Sequence, residues 1–277
     1  DPRSTDTPRD FATNYGQKIF FNTAYSPNED LELINDGSYR FNKSQGFFFS
    51  TGITDTEMNV VSYNPKVKLR NELFGFSFDN ISGIDLNYTY YRSDRMPTSG
   101  GATQQVYKFS DTNLGFYSNF ESQIDSNNKV GVGARFQGNW LKASDFVGPA
   151  SGAFRTNNRD SLTYDPQYAL HLGYERNLNS MGVIFARIGR SFTYPNVDQR
   201  VGHTPYNVSH DFKLRTQTSN DYEIGHSFKN KSFSFHNTFY YMNLRSEIYY
   251  DSVDFLNKNL DPSKRYGVES SLNYPVN

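Results

Sequence analysis

The chain contains no cysteine among its 277 residues, which excludes disulfide cross-links, thiolate metal sites and cysteine nucleophiles. It also lacks any run of about 18 or more apolar residues, the length that a membrane-spanning helix needs, so a bundle of membrane helices is excluded. Charge is nearly balanced, with 28 Lys and Arg against 29 Asp and Glu for a formal net charge of -1. That balance gives no overall electrostatic reason to expect nucleic acid or an anionic lipid surface as a partner. The chain opens at Asp1 without Met, a basic stretch or an apolar stretch, so any export signal is expected to have been removed or to lie outside this segment. There is no glycine-rich phosphate loop, no HExxH and no GxSxG, and the chain is read as not an enzyme, with no metal or cofactor. Barrel hydrolases use Ser and His, but no particular Ser pairs with His171 or His236. No repeat of fixed period stands out, which argues against a propeller or solenoid.

Aromatic residues, by contrast, are plentiful at 17%, with 24 Phe and 21 Tyr beside a single Trp. Yet the mean hydropathy of -0.73 is very polar for a membrane protein. A transmembrane β-barrel removes the conflict, because only alternate residues face lipid.

The dominant pattern is period two. Val130, Val132, Ala134, Phe136 and Trp140 fall on one face, and Gly131, Gly133, Arg135, Gln137 and Asn139 on the other. The same parity sets Ile84, Leu86, Tyr88 and Tyr90 against Gly83, Asp85, Asn87 and Thr89, and Tyr168, Leu170, Leu172 and Tyr174 against Gln167, Ala169, His171, Gly173 and Glu175. It also sets Tyr266, Val268, Leu272 and Tyr274 against Arg265, Gly267, Glu269, Ser271 and Asn273. A tilted strand crossing a bilayer needs about 9 to 11 residues, more than the 5 to 6 usual in soluble sheets. About twelve strands are predicted: 16–25, 31–42, 45–53, 57–70, 81–93, 105–122, 129–143, 166–177, 181–194, 216–228, 231–250 and 263–274. In the eleventh, the apolar parity moves from Phe233, Phe235, Phe239 and Tyr241 to Met242, Leu244 and Ile248, which predicts a bulge near Tyr241.

Connections alternate in length. Asp125 to Asn128, Asn177 to Ser180 and Lys229 to Lys231 read as tight turns, and 94–104, 144–165, 195–215 and 251–262 as long loops. Outer-membrane barrels have short periplasmic turns and long extracellular loops, so the long set is placed outside the cell. Tyr90, Tyr91, Phe120, Tyr194, Phe228, Tyr249 and Tyr250 gather near strand ends, as interfacial girdles require. A soluble β-sandwich or β-helix also alternates, but sandwich strands are shorter and their loops show no such asymmetry. The chain ends at Tyr274-Pro275-Val276-Asn277 without a terminal aromatic residue, and is expected to be an internal segment of a larger barrel.

From Ala186 to Tyr274 the segments ARIGRSFTYPNVDQ, LRTQTSNDYEIG, YYMNLRSEIYYD and NLDPSKRYGVESSLNY follow one another. In that order and spacing they resemble the later barrel strands of TonB-dependent outer-membrane receptors. SYNPKVKLRNELFG followed by ISGIDLNYTYYRSDR is similar to a middle strand pair of that family. Thr216 stands where the family usually has Pro. The resemblance implies that residues 1–277 are part of the barrel domain of a monomeric, 22-stranded barrel, without its plug domain and TonB box. It implies active uptake of a scarce ligand such as a ferric siderophore, haem or cobalamin, driven by the TonB-ExbB-ExbD complex through the N-terminal part. The competing reading is a passive, porin-like diffusion channel. A docking barrel for phage or a partner protein is compatible with either.

Candidate site residues follow from parity and loop position. Arg135, Gln137, Arg187, Glu223 and Glu269 share the polar parity and are expected to face the lumen and the plug. Arg95, Arg155, Arg159 and Arg200, with Asp94 and Asp198, lie near the expected mouth, where arginines suit an anionic ferric chelate. His171, His226 and His236 sit within strands. His203 and His210 lie in the long loop between Pro195 and Thr216. Haem-binding members of the family carry an axial His in the corresponding loop, and neutral imidazole is a normal haem ligand. The flanking boxes here read FTYP (192–195) and DFKL (211–214) in place of that subgroup's FRAP and NPNL, so solvent-exposed loop histidines are the simpler reading.

Overall fold

The computed structural model describes residues 10–48, 52–73, 75–96, 105–147, 161–200, 212–254 and 256–274. The alternating segments form strands β1 (Phe11–Asn28), β2 (Leu31–Phe48), β3 (Gly52–Leu73), β4 (Phe76–Met96), β5 (Gln105–Gln123) and β6 (Asn128–Val147). After these come β7 (Ser161–Tyr164), β8 (Gln167–Asn177), β9 (Val183–Thr193), β10 (Gln217–Lys229) and β11 (Ser234–Arg245). The last three are β12 (Ile248–Asp251), β13 (Leu256–Asn259) and β14 (Ser263–Asn273). Twelve of them make one antiparallel sheet in the order β1-β2-β3-β4-β5-β6-β8-β9-β10-β11-β14, with β7 extending the pairing of β6. β12 and β13 pair separately as a hairpin.

Because neighbours in sequence are neighbours in space, successive strands run up and down, and each face of the sheet carries one parity throughout. Ile84, Phe116, Phe136 and Tyr168 lie opposite one another in a single cross-strand row. Leu172, Ile188, Tyr222, Tyr241 and Tyr266 form another. These side chains stay exposed, Phe136 at 53% and Ile188 at 49% for example. An apolar surface of that extent is uncovered by protein and calls for lipid as its solvent.

The turns at one end are short: two residues join β1 to β2 and β3 to β4. Gly75 adopts φ 81° in the second of these, a backbone conformation that side-chain-bearing residues resist. Asp125 and Asn230 organise two further turns by accepting hydrogen bonds from the backbone N–H groups of Asn127 and Asn128, and of Ser232 and Phe233. All the long connections fall at the other end.

Three sequence expectations are corrected. The segment 45–53 is no separate strand: residues up to Phe48 complete β2 and those from Gly52 open β3, with unbroken pairing from Leu31↔Leu69 to Phe48↔Gly52. The polar run Asn42-Lys43-Ser44 reads as a turn only if the strand is assumed to end with the apolar band. Instead the strand continues past it, and Lys43 pairs with Asp55 on β3 at 3.7 Å. The bulge near Tyr241 is likewise absent, since β10 and β11 keep one register from Thr218↔Arg245 to Lys229↔Ser234. Met242 and Leu244 lie on the inner face of this unbroken strand, Leu244 buried, so the apolar residues change face while the backbone keeps its register. Ser246, with a φ of 53°, separates β11 from β12. Finally, the loops predicted at 144–165 and 251–262 contain β7 and most of the β12–β13 hairpin.

Candidate lumen wall and outer mouth

On the face opposite the apolar rows, β3 to β6 carry a continuous hydrogen-bonded network. Arg135 donates through Nη1 to Asp85 at 2.5 Å and through Nε and Nη2 to Gln137 Oε1 at 2.9 and 2.7 Å. Asp85 also accepts from Asn64 at 2.7 Å. Gln137 donates on to Asn113 at 3.2 Å, and Asn139 donates to Asn113 at 3.0 Å and to Asp111.

The reach of Arg135 depends on a glycine. Asp85 and Arg135 lie on β4 and β6, and Gly115 on the intervening β5; a Cβ there would stand 2.8 Å from Arg135 Nη2. The guanidinium therefore crosses a bare strand to find its carboxylate, with the Tyr117 ring 5.8 Å away. Each ion is partly shielded from water, so removing one partner strands the other at a cost of about 1–3 kcal/mol.

Around Arg135 the wall is hollow. A recess of about 570 Å³ is lined by Asp85, Tyr117, Arg135, His171, Ser191 and Asp221 among others. His171 lies over Gly133, where a Cβ would clash with its ring at 1.9 Å. Arg187 pairs with Glu175 at 3.3 Å and covers the Phe185 ring at 5.1 Å. Glu223 stands across from Arg187 on one side and Tyr240 on the other. Glu269 stands across from Thr238. All five residues assigned to the lumen by parity thus lie on the polar face, but only Arg135 and Gln137 join the network.

Toward the loop end the same face changes character. Tyr91, Phe109 and Ala143 are cross-strand neighbours on β4, β5 and β6 and are buried, together with Tyr107 and Leu141. What covers them comes from the far side of the sequence. Phe212, in the connection from β9 to β10, packs edge-on against Phe109 at 5.5 Å, and Phe109 meets Tyr91 at 5.8 Å. Val197 adds to the cluster. Arg200, at the end of a 3-10 turn over Asp198–Arg200, is buried and donates to the Phe212 carbonyl at 2.6 Å.

The same connection is tied to its neighbours by polar contacts. Tyr194 Oη lies 2.8 Å from the Gln137 carbonyl and 2.7 Å from that of Asp165. Asn257 donates to the Gln199 carbonyl at 3.0 Å, and Asn259 exchanges hydrogen bonds with the backbone of Arg215 at 2.7 and 3.0 Å.

The mouth residues fare unevenly. Arg95 is buried with its guanidinium 5.0 Å from the Tyr107 ring, and Arg200 is the buried cap ligand just described. Asp94 stands on the other face, chelated by Arg92 at 2.9 Å. Arg155, Arg159, His203 and His210 lie outside the described residues. His226 points to the apolar side, 2.6 Å from the Met181 carbonyl, and His236 stacks on Phe185 at 5.5 Å. Among the described residues no group of His, Asp or Glu is arranged to hold a metal ion. Sequence reasoning placed Asp85 and Asn139 on the polar parity without singling them out. The cap residue Phe212 carried no periodic signal at all.

An up-and-down sheet with a lipid-facing apolar side, a hydrogen-bonded polar side, short turns at one end and long loops at the other defines an outer-membrane β-barrel wall. The chain belongs to the TonB-dependent receptor-like β-barrel family, whose profile matches residues 1–277. No curated protein matches it in sequence. Solved structures share its fold. The ferric-catecholate import receptor Fiu from E. coli superposes with a TM-score of 0.75 at 12% identity, over 98% of this chain and 46% of its own. The haemophore receptor HasR of Serratia marcescens gives 0.76 at 13% identity, over 96% and 47%. The ferric yersiniabactin uptake receptor FyuA from Yersinia pestis gives 0.72 at 12%, over 98% and 41%. The chain spans less than half the length of these proteins. Barrels of this family reside in the Gram-negative outer membrane.

Proposed function

We propose that this chain forms the wall and outer mouth of a TonB-dependent importer that takes up a scarce ligand, a ferric siderophore, haem or cobalamin, across the outer membrane. The observation that carries the reading is the lumen wall of β3 to β6. Its Arg135-centred network presents ordered donors and acceptors around a hollow recess, as a wall needs if it is to dock a folded plug while leaving a path beside it. In this reading Arg135, Gln137, Arg187, Glu223 and Glu269 face that plug, and TonB-ExbB-ExbD acts through the receptor's N-terminal part. The loop residues Arg155, Arg159, His203 and His210 meet the ligand, with arginines suited to an anionic chelate. Arg95 and Arg200 act from behind, by holding the mouth.

The test uses the full-length receptor in a strain lacking it, grown on single sources of ferric chelate, haem or cobalamin, with and without TonB. Growth on one source that vanishes without TonB is expected, as is near-zero conductance of the purified protein in planar bilayers. Steady ion-conducting openings with TonB-independent growth would overturn the proposal in favour of a passive diffusion channel.

A further inference from the structure

The outer face of β5 and β6 carries no acidic residue along its whole length, although the chain as a whole is electrically balanced. Above the apolar band this face presents two lysines and two serines at the corners of one cross-strand square. Lys108 lies opposite Ser144, and Ser110 opposite Lys142. Diagonal neighbours in such a pair stand about 7–8 Å apart, close enough for two long side chains to converge on one group. Neither lysine has an ion-pair partner among the described residues; the Lys108 ammonium rests 5.1 Å from the Phe146 ring. Strands β2 to β4 differ, since on the same face Arg92 is neutralised by Asp94 at 2.9 Å and Lys43 faces Asp55 at 3.7 Å.

Depth identifies the occupant. Trp140, the single Trp of the chain, lies two residues below Lys142 on the same face and stacks on Tyr164 at 4.9 Å. Stacked aromatics of this kind sit at the boundary between acyl chains and headgroups. Below them, Leu114, Phe116 and Phe136 continue the apolar face. The square therefore lies at headgroup height on the loop-bearing side, facing away from the lumen.

We propose that Lys108, Lys142, Ser110 and Ser144 bind a phosphate of an outer-leaflet glycolipid whose acyl chains lie along β5 and β6. Two ammonium groups and two hydroxyls supply donors to one phosphate, and its charge relieves the repulsion between the lysines. This site does not depend on the transport reading, since it faces lipid and not the ligand path.

The test is native mass spectrometry of the full-length protein purified in detergent and offered bisphosphorylated lipid A or the same lipid without phosphates. Preferential retention of the phosphorylated form is expected. Reversing both lysines (Lys108→Glu with Lys142→Glu) should abolish it, and Lys108→Gln with Lys142→Gln should weaken it by roughly fivefold per lysine. Lys231→Glu, in a turn at the opposite end, should leave it unchanged. Folding of each variant is read from heat-modifiable gel mobility, and the glutamine pair serves where the reversed pair does not fold. Equal retention of the two lipids, or retention indifferent to the lysines, would overturn the site. Displacement by millimolar inorganic phosphate would mean a free-phosphate site and would overturn the lipid assignment.

Discussion

The six strands β1 to β6 run 18 to 22 residues, whereas β8 to β11 and β14 run 11 to 13. The shorter set is little more than a tilted crossing of the bilayer demands. The longer set crosses and keeps going, and its upper ends meet a different solvent. On their outer face, apolar residues give way to Lys43, Asp55, Glu57, Arg92 and Lys108. On their inner face, β4 to β6 exchange the polar network for Tyr91, Tyr107, Phe109 and Leu141, which the β9–β10 connection covers with Phe212. One strand thus belongs to two folding environments: lipid outside and polar lumen inside at the lower level, and a water-soluble kind of core at the upper. The short half supplies the loop that seals the long half.

The contrast breaks most visibly at Phe109, which is 1% exposed. Phe109→Ala should remove about 3–5 kcal/mol from the capped mouth, because the cavity left between Tyr91 and Phe212 cannot close around rigid strands. The expected result is fast hydrogen exchange and proteolysis of the β9–β10 connection, with the barrel's resistance to unfolding in detergent unchanged. If the whole barrel lost stability with the loop, the upper core would be part of the same cooperative unit and the division into two environments would fail.

The outer face permits a sharper version. Val132 lies in the apolar band of β6, and Gln45 on the outer face of β2 above it. An Arg at the bilayer midplane of a barrel costs about 2–4 kcal/mol, and close to nothing near the interfaces. Val132→Arg should therefore lower the folded fraction recovered in lipid vesicles by well over tenfold, whereas Gln45→Arg should fold like the parent. Equal behaviour of the two would mean that the apolar band extends to the strand tips.

These two environments were not equally legible in the sequence. Strand parity is a local property fixed by the two-residue repeat, and it assigned Arg135, Gln137, Arg187, Glu223 and Glu269 to the face on which they lie. It failed where a strand crosses from lipid into water. At Asn42 to Ser44 the outer face turns polar although the backbone does not turn, and an apolar criterion ends the strand too early. It failed again at Met242 and Leu244, apolar residues on the inner face near the upper end of β11, where a change of apolar parity marks a change of surroundings and not a bulge. The capping role of Phe212 and the buried state of Arg95 and Arg200 arise from contacts between segments distant in sequence. No periodicity foretells them. Gly115 is an intermediate case: its parity was readable, but not that a guanidinium would lie across it.

The smallest effect concerns the hairpin that braces the mouth from the short-strand side. Asp251 accepts hydrogen bonds from the Lys258 ammonium at 2.7 Å and from the Val253 backbone N–H at 2.8 Å. The Lys258 bond, with the turn amides, holds the Asp251 carboxyl below the ordinary carboxylate range, and the Asp251 and Asp254 carboxylates hold the Lys258 ammonium above its own. A depressed carboxyl contributes stability that is present above its unfolded value, about 3.9, and is lost as pH falls through the lower folded value. A raised ammonium contributes stability that is present below about 10.4 and is lost as pH rises through its higher folded value. The β12–β13 hairpin should therefore keep constant hydrogen-exchange protection from about pH 5 to pH 9 once intrinsic rates are divided out, and lose a little below about pH 3.9. Lys258→Met should reduce that acid dependence to the part held by the Val253 and Asp254 backbone N–H groups. Because both groups are exposed the effect is small, and it should leave the Phe109 cluster untouched. Acid loosening of the cluster in step with the hairpin would show that the Asn257–Gln199 contact, and not Phe212, holds the connection in place.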